Sequence, residues 1–147
     1  MIKILLADDH QLFRDVLIPL LNSQPDMKVV GQASSGHETV ALSRTLRPNL
    51  ILLDFGLPNG SGLEAMRSIL ADQPKMKIVF LTAFAESSLL LEAFRDGAKG
   101  YIVKDATTAE LLEFIRGVDR GEKAISPHMM QRLTPAELRG LPHRKYQ

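Results

Sequence analysis

A run of four apolar residues, Leu50 to Leu53, ends abruptly on the carboxylate of Asp54. A run this short, made only of leucine and isoleucine, is typical of a strand that is buried on both faces of a parallel sheet. Residues 55–62 follow it and are rich in residues that form turns. Asp54 is therefore predicted to lie at the carboxyl end of a buried strand, which is the edge where ligands bind in open α/β sheets.

Strand-like and helix-like segments alternate along the first 121 residues. Short apolar runs predict five strands, at Ile2–Ala7, Met27–Ala33, Leu50–Asp54, Met76–Leu81 and Lys99–Val103. Apolar residues at helical spacing predict a helix after each strand, at 10–23, 36–46, 61–70, 86–96 and 107–120. This alternation predicts an α/β fold with a doubly wound, five-stranded parallel sheet and helices on both faces.

Local signals predict where several helices start and stop. Pro19 interrupts the first helix, so we expect a kink or an early end there. The apolar residues at helical spacing in this helix are Leu12, Val16 and Leu20, flanked by Phe13, Leu17 and Leu21. Gly97 is expected to stop the fourth helix from the C′ position. Either Thr107 or Thr108 can cap the fifth helix.

The composition excludes several classes of protein. The chain has 147 residues, 45% of them hydrophobic, which is enough for one domain with a sizeable core. A formal net charge of +1 gives no support for a nucleic-acid footprint over the whole chain. The absence of cysteine excludes disulfides and thiolate metal sites. With neither a membrane-length apolar run nor the layout of a signal peptide, a cytoplasmic protein is expected.

Polar side chains end four of the five predicted strands. They are Asp8 and Asp9, Asp54, Thr82, and Lys104. Parallel strands place these ends on one edge of the sheet, although a helix cap or a solvated turn would explain any single one of them. Clustered carboxylates repel one another unless a cation lies among them, and oxygen ligands without histidine or cysteine select Mg²⁺.

Phosphoryl transfer is the chemistry that this set of side chains suits best. Lys104 can hold a phosphoryl oxygen, and Thr82 supplies a hydroxyl donor. An aspartate beside a divalent cation is a competent nucleophile for forming an aspartyl-phosphate. Asp54 is the best candidate for that nucleophile because its strand is central, whereas Asp8 and Asp9 are better placed as metal ligands.

Residues 1 to about 121 resemble the receiver domain of two-component response regulators, with the flavodoxin-like fold also called CheY-like. The matching residues are Asp8-Asp9, Asp54 with Pro58 and Gly62, Thr82-Ala83, and Tyr101 with Lys104. The resemblance implies that Asp54 accepts a phosphoryl group from a sensor histidine kinase. It also implies that Asp9, Asp54 and the backbone carbonyl of Gly56 hold Mg²⁺, with Asp8 reaching the ion through water. Such a domain is not an enzyme in the usual sense, but a phosphoacceptor switch that assists its own phosphorylation and dephosphorylation.

The resemblance also implies a switch. Thr82 and Lys104 would contact the phosphoryl group, which adds negative charge and three acceptors. Tyr101 would fill the space that Thr82 leaves, although plain core filling remains an alternative for Tyr101. The readout surface would be the fourth helix, fifth strand and fifth helix, where Leu89 to Leu91 cannot all face the core. Our hypothesis is that phosphorylation tightens a homodimer, or releases a partner, through this face.

The last 26 residues, 122–147, are expected to be a linker and the truncated start of a LuxR-type helix-turn-helix region. Thr134 and Pro135 predict a helix start with threonine as N-cap and proline at N1. This start and the receiver segments 7–10 and 97–101 are similar to NarL/FixJ-type (LuxR-like) regulators. A helix-turn-helix needs two packed helices, so no specific DNA binding is expected of this chain alone. Transcriptional control through DNA is expected in the longer family members.

Two alternatives remain open. A haloacid-dehalogenase-like phosphohydrolase shares aspartate, threonine and lysine groups, but it needs a second aspartate where this chain has Gly56. A degenerate receiver would act as a protein-interaction module without phosphorylation. His10 is interpreted as capping or beginning the first helix rather than as a metal ligand.

Overall fold

A computed structural model describes residues 1–83, 87–122, 124–125, 131 and 133–139. The strands are β1 (Ile2–Ala7), β2 (Met27–Ala33), β3 (Leu50–Asp54), β4 (Lys77–Thr82), β5 (Gly100–Val103) and β6 (Ala124–Ile125). The helices are α1 (Gln11–Asn22), α2 (Gly36–Leu46), α3 (Gly62–Asp72), α4 (Ser87–Arg95), α5 (Thr108–Asp119) and α6 (Pro135–Arg139). The chain divides into two compact units, Met1–Ile78 and Val79–Gln147.

In the first unit, β1 lies between β2 and β3 and runs parallel to both. Ala7 is paired with Leu53, so β1 and β3 end at the same level. All five residues of β3 are buried. Since neighbouring side chains of a strand point to opposite faces, both faces of the sheet are covered at β3, as the sequence predicted.

In the second unit, β5 lies between β4 and β6 and again runs parallel to both. Thr82 at the end of β4 is paired with Val103 at the end of β5. Both units therefore consist of parallel strands joined through helices, which confirms the parallel α/β class. The count of five strands was one short, because Ala124–Ile125 pairs with Gly100 and Tyr101. Ala124 and Ile125 lie in the segment for which the sequence predicts a linker.

The predicted helix ends are largely confirmed. Thr107, rather than Thr108, caps α5 and shares a reciprocal capping box with Glu110. Thr134 caps α6 in the same way, with Glu137 as its partner. At the end of α4, Gly97 has a φ of +119°, and the amides of Gly97 and Ala98 donate back to Phe94 and Ala93. This Schellman motif is the stop that the sequence predicted.

Of the two effects expected from Pro19, helix α1 excludes the early end. It continues three residues past Pro19, and the Ser23 amide donates to the Pro19 carbonyl at 3.0 Å, so the helix does not end early. Its buried residues are Leu17 and Leu21. Leu12 and Val16, on the other apolar stripe of this helix, are 78% and 65% exposed. None of the helices in the described part of the chain combines the length and apolar character that crossing a bilayer requires.

Candidate functional site

Two buried aspartates stand side by side where β1 and β3 end. The pairing of Ala7 with Leu53 places Asp8 and Asp54 one residue further along two adjacent parallel strands, which lie about 4.8 Å apart. Asp8 is 0% and Asp54 7% exposed. Burial of two carboxylates at neighbouring strand ends costs free energy unless hydrogen bonds or a cation compensate their charge.

Each of these aspartates also shapes the turn that follows it. Asp8 Oδ1 accepts a hydrogen bond of 2.8 Å from the backbone N–H of His10. Asp54 Oδ1 accepts one of 3.3 Å from the N–H of Gly56. Both bonds span two residues, which is the Asx-turn geometry. The two carboxylates therefore fix the backbone just beyond the strand ends.

Asp9 and His10 complete a cluster with Asp8 and Asp54. One ligand atom from each of the four residues lies within 4.8 Å of every other. The side chain of Asp9 is 36% exposed, so the cluster opens to solvent on its side. His10 Nδ1 lies 3.0 Å from Asp8 Oδ1 and 3.4 Å from Asp9 Oδ1. His10 occupies the N-cap position of α1, as predicted, but its side chain contacts the acids and does not cap the helix.

The donor set of this cluster fits Mg²⁺. Three carboxylates supply hard oxygen ligands, and opposite ligands of an octahedral Mg²⁺ lie about 4.2 Å apart, twice an Mg–O distance of about 2.1 Å. The ligand atoms of the three carboxylates lie within 4.8 Å of one another, which is close to this separation. The imidazole of His10 is a less suitable ligand, because Mg²⁺ prefers oxygen.

Arg14 is a residue of this region that the sequence analysis missed. Its Nη1 donates to the backbone carbonyl oxygen of Asp8, and its Nε donates to Gln32 Oε1 at 3.0 Å. The guanidinium thus joins the end of β1 to the end of β2. Nothing in the sequence pattern marked Arg14, because a single arginine in the second turn of an amphipathic helix is ordinary.

The backbone of Asp54 is held from its other side by Gly62. A Cβ at Gly62 would lie 2.5 Å from the carbonyl oxygen of Asp54 and 2.9 Å from Cα of Phe55, so no side chain fits there. The amide of Gly62 donates to the Phe55 carbonyl at 3.1 Å. We call residues 55–61, between Asp54 and Gly62, the acceptor loop.

The second unit brings Thr82 and Lys104 together. Thr82 is buried at the end of β4, and the Lys104 amide donates to the Thr82 carbonyl at 2.8 Å. Lys104 is half-buried and lines a cavity of about 360 Å³ with Ala83, Val103 and Asp105. A cation and a hydroxyl therefore stand at the carboxyl ends of two adjacent strands, as the sequence predicted.

Tyr101 and the leucines of α4 lie in the predicted switch region. Tyr101 is fully buried, and its ring centroid lies 6.0 Å from that of Phe80 at an interplanar angle of 51°. Leu90 is fully buried, whereas Leu89 and Leu91 are partly exposed. The three leucines therefore do not all face the core, as expected for consecutive positions of a helix.

Comparisons with known proteins agree with this fold. Residues 4–116 match the response regulator receiver domain family. The chain belongs to this family. This match confirms the predicted family, the receiver domain of two-component response regulators.

The relatives are response regulators of the LuxR/NarL type. The chain is 41% identical over 121 residues to YxjL of Bacillus subtilis, an uncharacterized transcriptional regulatory protein, covering 82% of this chain and 56% of that protein. It is 38% identical over 133 residues to response regulator GacA of Pseudomonas aeruginosa, covering 90% and 62%. It is 36% identical over 140 residues to the DNA-binding transcriptional activator DevR/DosR of Mycobacterium tuberculosis, covering 95% and 64%. The chain thus spans 56 to 64% of the length of these relatives.

A solved structure is similar over nearly the whole chain. It is a LuxR-family two-component response regulator from Aurantimonas sp. SI85-9A1, with a TM-score of 0.88 and 33% identity, covering 95% of this chain and 98% of that one. The response regulator domain of Thermotoga maritima CheB, at 34% identity, has a TM-score of 0.75 over 82% of this chain and 97% of that one.

Proposed function

We propose that Asp54 accepts a phosphoryl group from the phosphohistidine of a sensor histidine kinase and thereby switches an output surface. The observation that carries this proposal is the cluster of Asp8, Asp9 and Asp54, whose ligand atoms lie within 4.8 Å of one another at the ends of two parallel strands. Membership of the receiver family supports the same function.

The transfer is a displacement at phosphorus. A carboxylate oxygen of Asp54 forms the new O–P bond, the N–P bond of the phosphohistidine breaks, and its electron pair returns to the imidazole. Asp9, Asp54 and the Gly56 carbonyl would hold Mg²⁺ directly, and Asp8 would reach it through water. The ion supplies neutralisation of the negative charge on the transferring oxygens.

Two residues of the second unit complete the proposal. Lys104 holds a phosphoryl oxygen as a point charge, and the hydroxyl of Thr82 donates to another. Tyr101 responds to the position of Thr82 and is the reporter of the switch. The chain in this view is a phosphoacceptor rather than an enzyme with a separate substrate, although it assists its own phosphorylation and dephosphorylation.

The output proposed for the longer proteins of this family is transcription. The support is the printed function of relatives such as DevR/DosR, a DNA-binding transcriptional activator. We propose a cytoplasmic location and a homodimer through α4, β5 and α5. Specific DNA binding is assigned to the longer family members and not to this chain alone.

Intact mass spectrometry tests the acceptor directly. After incubation with acetyl phosphate and Mg²⁺, the wild type should gain the mass of one phosphoryl group, and the Asp54→Ala variant should gain none. Omission of Mg²⁺ should suppress the gain. Asp72→Asn, which removes a carboxylate at the end of α3, is the matched control and should behave as the wild type.

Two results would overturn the proposal. If wild type and Asp54→Ala both remain at their unmodified mass with acetyl phosphate and with a phosphorylated kinase domain, the chain is a degenerate receiver. A gain that persists in Asp54→Ala would place the acceptor on another residue.

A further inference from the structure

The acceptor loop crosses the first turn of α2 so closely that residue 36 has no room for a side chain. A Cβ built on Gly36 would lie 1.6 Å from the carbonyl oxygen of Gly60 and 2.5 Å from its carbonyl carbon. The obstructing atoms are backbone atoms, which cannot rotate away as a flexible side chain would. Any residue other than glycine at position 36 must therefore displace the loop, the helix or both.

Hydrogen bonds join the same two segments. The amide of Gly36 donates to the Pro58 carbonyl, and the amide of His37 donates to the Asn59 carbonyl, each at 3.0 Å. The first amides of a helix have no partner within the helix, so the loop here satisfies two of them. The Ser35 side chain accepts from Glu38 N at 3.1 Å and caps a third.

The loop adopts a special conformation at this crossing. Asn59 and Gly60 have φ values of +50° and +88°, in the left-handed region. Two successive left-handed residues are costly for most residue types, but glycine and asparagine adopt this conformation more readily. The residue types at positions 59 and 60 therefore favour this crossing. At its far end, the loop is packed against the Asp54 carbonyl through Gly62. The acceptor loop is thus held by α2 at its middle and by Gly62 at its base, where the chain meets the backbone of Asp54 and Phe55.

We propose that Gly36 is a positioning residue for Asp54 and for the carbonyl of Gly56. By letting the acceptor loop dock on α2, it sets the backbone from which both groups project. This inference rests on the proposed function, in which these groups hold Mg²⁺ and take the phosphoryl group. Partners that orient metal ligands typically change metal affinity by 10- to 100-fold when they are altered, and Gly36 acts on a ligand through the loop that carries it.

The test is a Mg²⁺ titration of the 147-residue chain with the substitution Gly36→Ala, read from the amide resonances of Asp54 and Gly56. The half-saturating Mg²⁺ concentration should rise about tenfold relative to the wild type. The acetyl phosphate reaction should need correspondingly more Mg²⁺. Gly117→Ala is the matched control, because a Cβ there would meet the movable end of the Glu122 side chain at 3.0 Å. It should bind Mg²⁺ as the wild type does.

Thermal unfolding separates positioning from a loss of stability. A merely destabilised Gly36→Ala would unfold at a lower temperature and still half-saturate at the wild-type Mg²⁺ concentration, and that result overturns the inference. Should Gly36→Ala fail to fold, Gly60→Ala replaces it. Its Cβ would meet the His37 ring at 2.9 Å, and a φ of +88° is strained for alanine, so this variant disturbs the same crossing from the side of the loop. A folded Gly60→Ala with unchanged Mg²⁺ affinity also overturns the inference.

Measurements on the wild type distinguish the proposed function from the positioning role of Gly36. If the wild type binds Mg²⁺ but takes no phosphoryl group, the proposed function fails, and the affinity ratio still decides the role of Gly36. If the wild type takes the phosphoryl group and Gly36→Ala matches it at every Mg²⁺ concentration, the function stands and the positioning role is wrong.

Discussion

Asp9 differs from its two acidic neighbours in how much of it reaches solvent. Asp8 and Asp54 are buried and accept backbone amides two residues further on, so each holds a turn as well as a negative charge. The Asp9 side chain is 36% exposed and lies at the open side of the cluster. A substitution at Asp9 therefore separates metal binding from folding better than one at either buried residue.

We predict that Asp9→Asn weakens Mg²⁺ binding by about tenfold or more while changing the free energy of unfolding by about 0.5 kcal/mol or less. The reason is that the exposed carboxylate contributes little packing but supplies charge to the ion. An NMR titration with Mg²⁺ and a urea unfolding curve measure the two quantities. Asp15→Asn, an exposed acid of α1, is the control and should leave both unchanged. Equal Mg²⁺ affinity in Asp9→Asn and the wild type would contradict the assignment of Asp9.

At the scale of the elements, sequence reasoning succeeded where chemistry is local. The bounds of β1, β2 and β3 and the caps at Thr107 and Thr134 follow from short apolar runs and capping residues. Two-residue β6 escaped prediction because so short a strand has no periodicity. The buried face of α1 was not decided either, since Leu12, Val16, Leu17 and Leu21 offer two apolar stripes and packing selects one.

At the site, too, sequence reasoning succeeded only where the signal is local. Asp8, Asp54, Thr82 and Lys104 were identified because chemistry-bearing side chains at strand ends are visible in the sequence. The crossing of Gly36 and Gly60 and the bond of Arg14 to the Asp8 carbonyl join separate elements. Such contacts depend on tertiary packing, which no local pattern of residues specifies.

The cap of α5 gives a prediction at this scale. Thr107→Ala should lower the free energy of unfolding by about 1 kcal/mol, because the amide of Glu110 loses its acceptor. Thr108→Ala should have little effect or raise stability slightly, since Thr108 lies inside the helix, where alanine is favoured. Urea unfolding of both variants measures the difference. Equal losses in the two variants would show that the cap is not specific to Thr107.

At the scale of the whole molecule, the apolar surface decides which faces can pair. Leu89 and Leu91 of α4 are partly exposed, and so they can contribute to the proposed homodimer face. Leu12 and Val16 of α1 form a second exposed apolar pair. Scattered apolar residues on a surface are ordinary, so the choice between the two faces must come from experiment.

We expect phosphorylation to tighten self-association by about tenfold, a usual size for coupling between two sites. Sedimentation velocity with and without acetyl phosphate measures the change, and Asp54→Ala should show none. Leu89→Lys should abolish the tightening because it places a charge in the proposed interface. Leu12→Lys, the matched control, should not. The reverse pattern would assign the dimer to α1, and no change in the wild type would refute phosphorylation-dependent pairing.

The complete burial of β3 bears on how long a phosphoryl group on Asp54 would last. Amide protons of a strand covered on both faces exchange with solvent chiefly through the rarest openings of a domain. The carboxylate of Asp54 is carried by that strand, while the residues beyond it belong to a loop. Local opening of the backbone would therefore seldom disturb the acyl phosphate, a mixed anhydride between the Asp54 carboxyl group and the phosphoryl group. The lifetime of the acyl phosphate would then depend on how often a water molecule reaches the phosphorus atom from the side opposite the Asp54 oxygen.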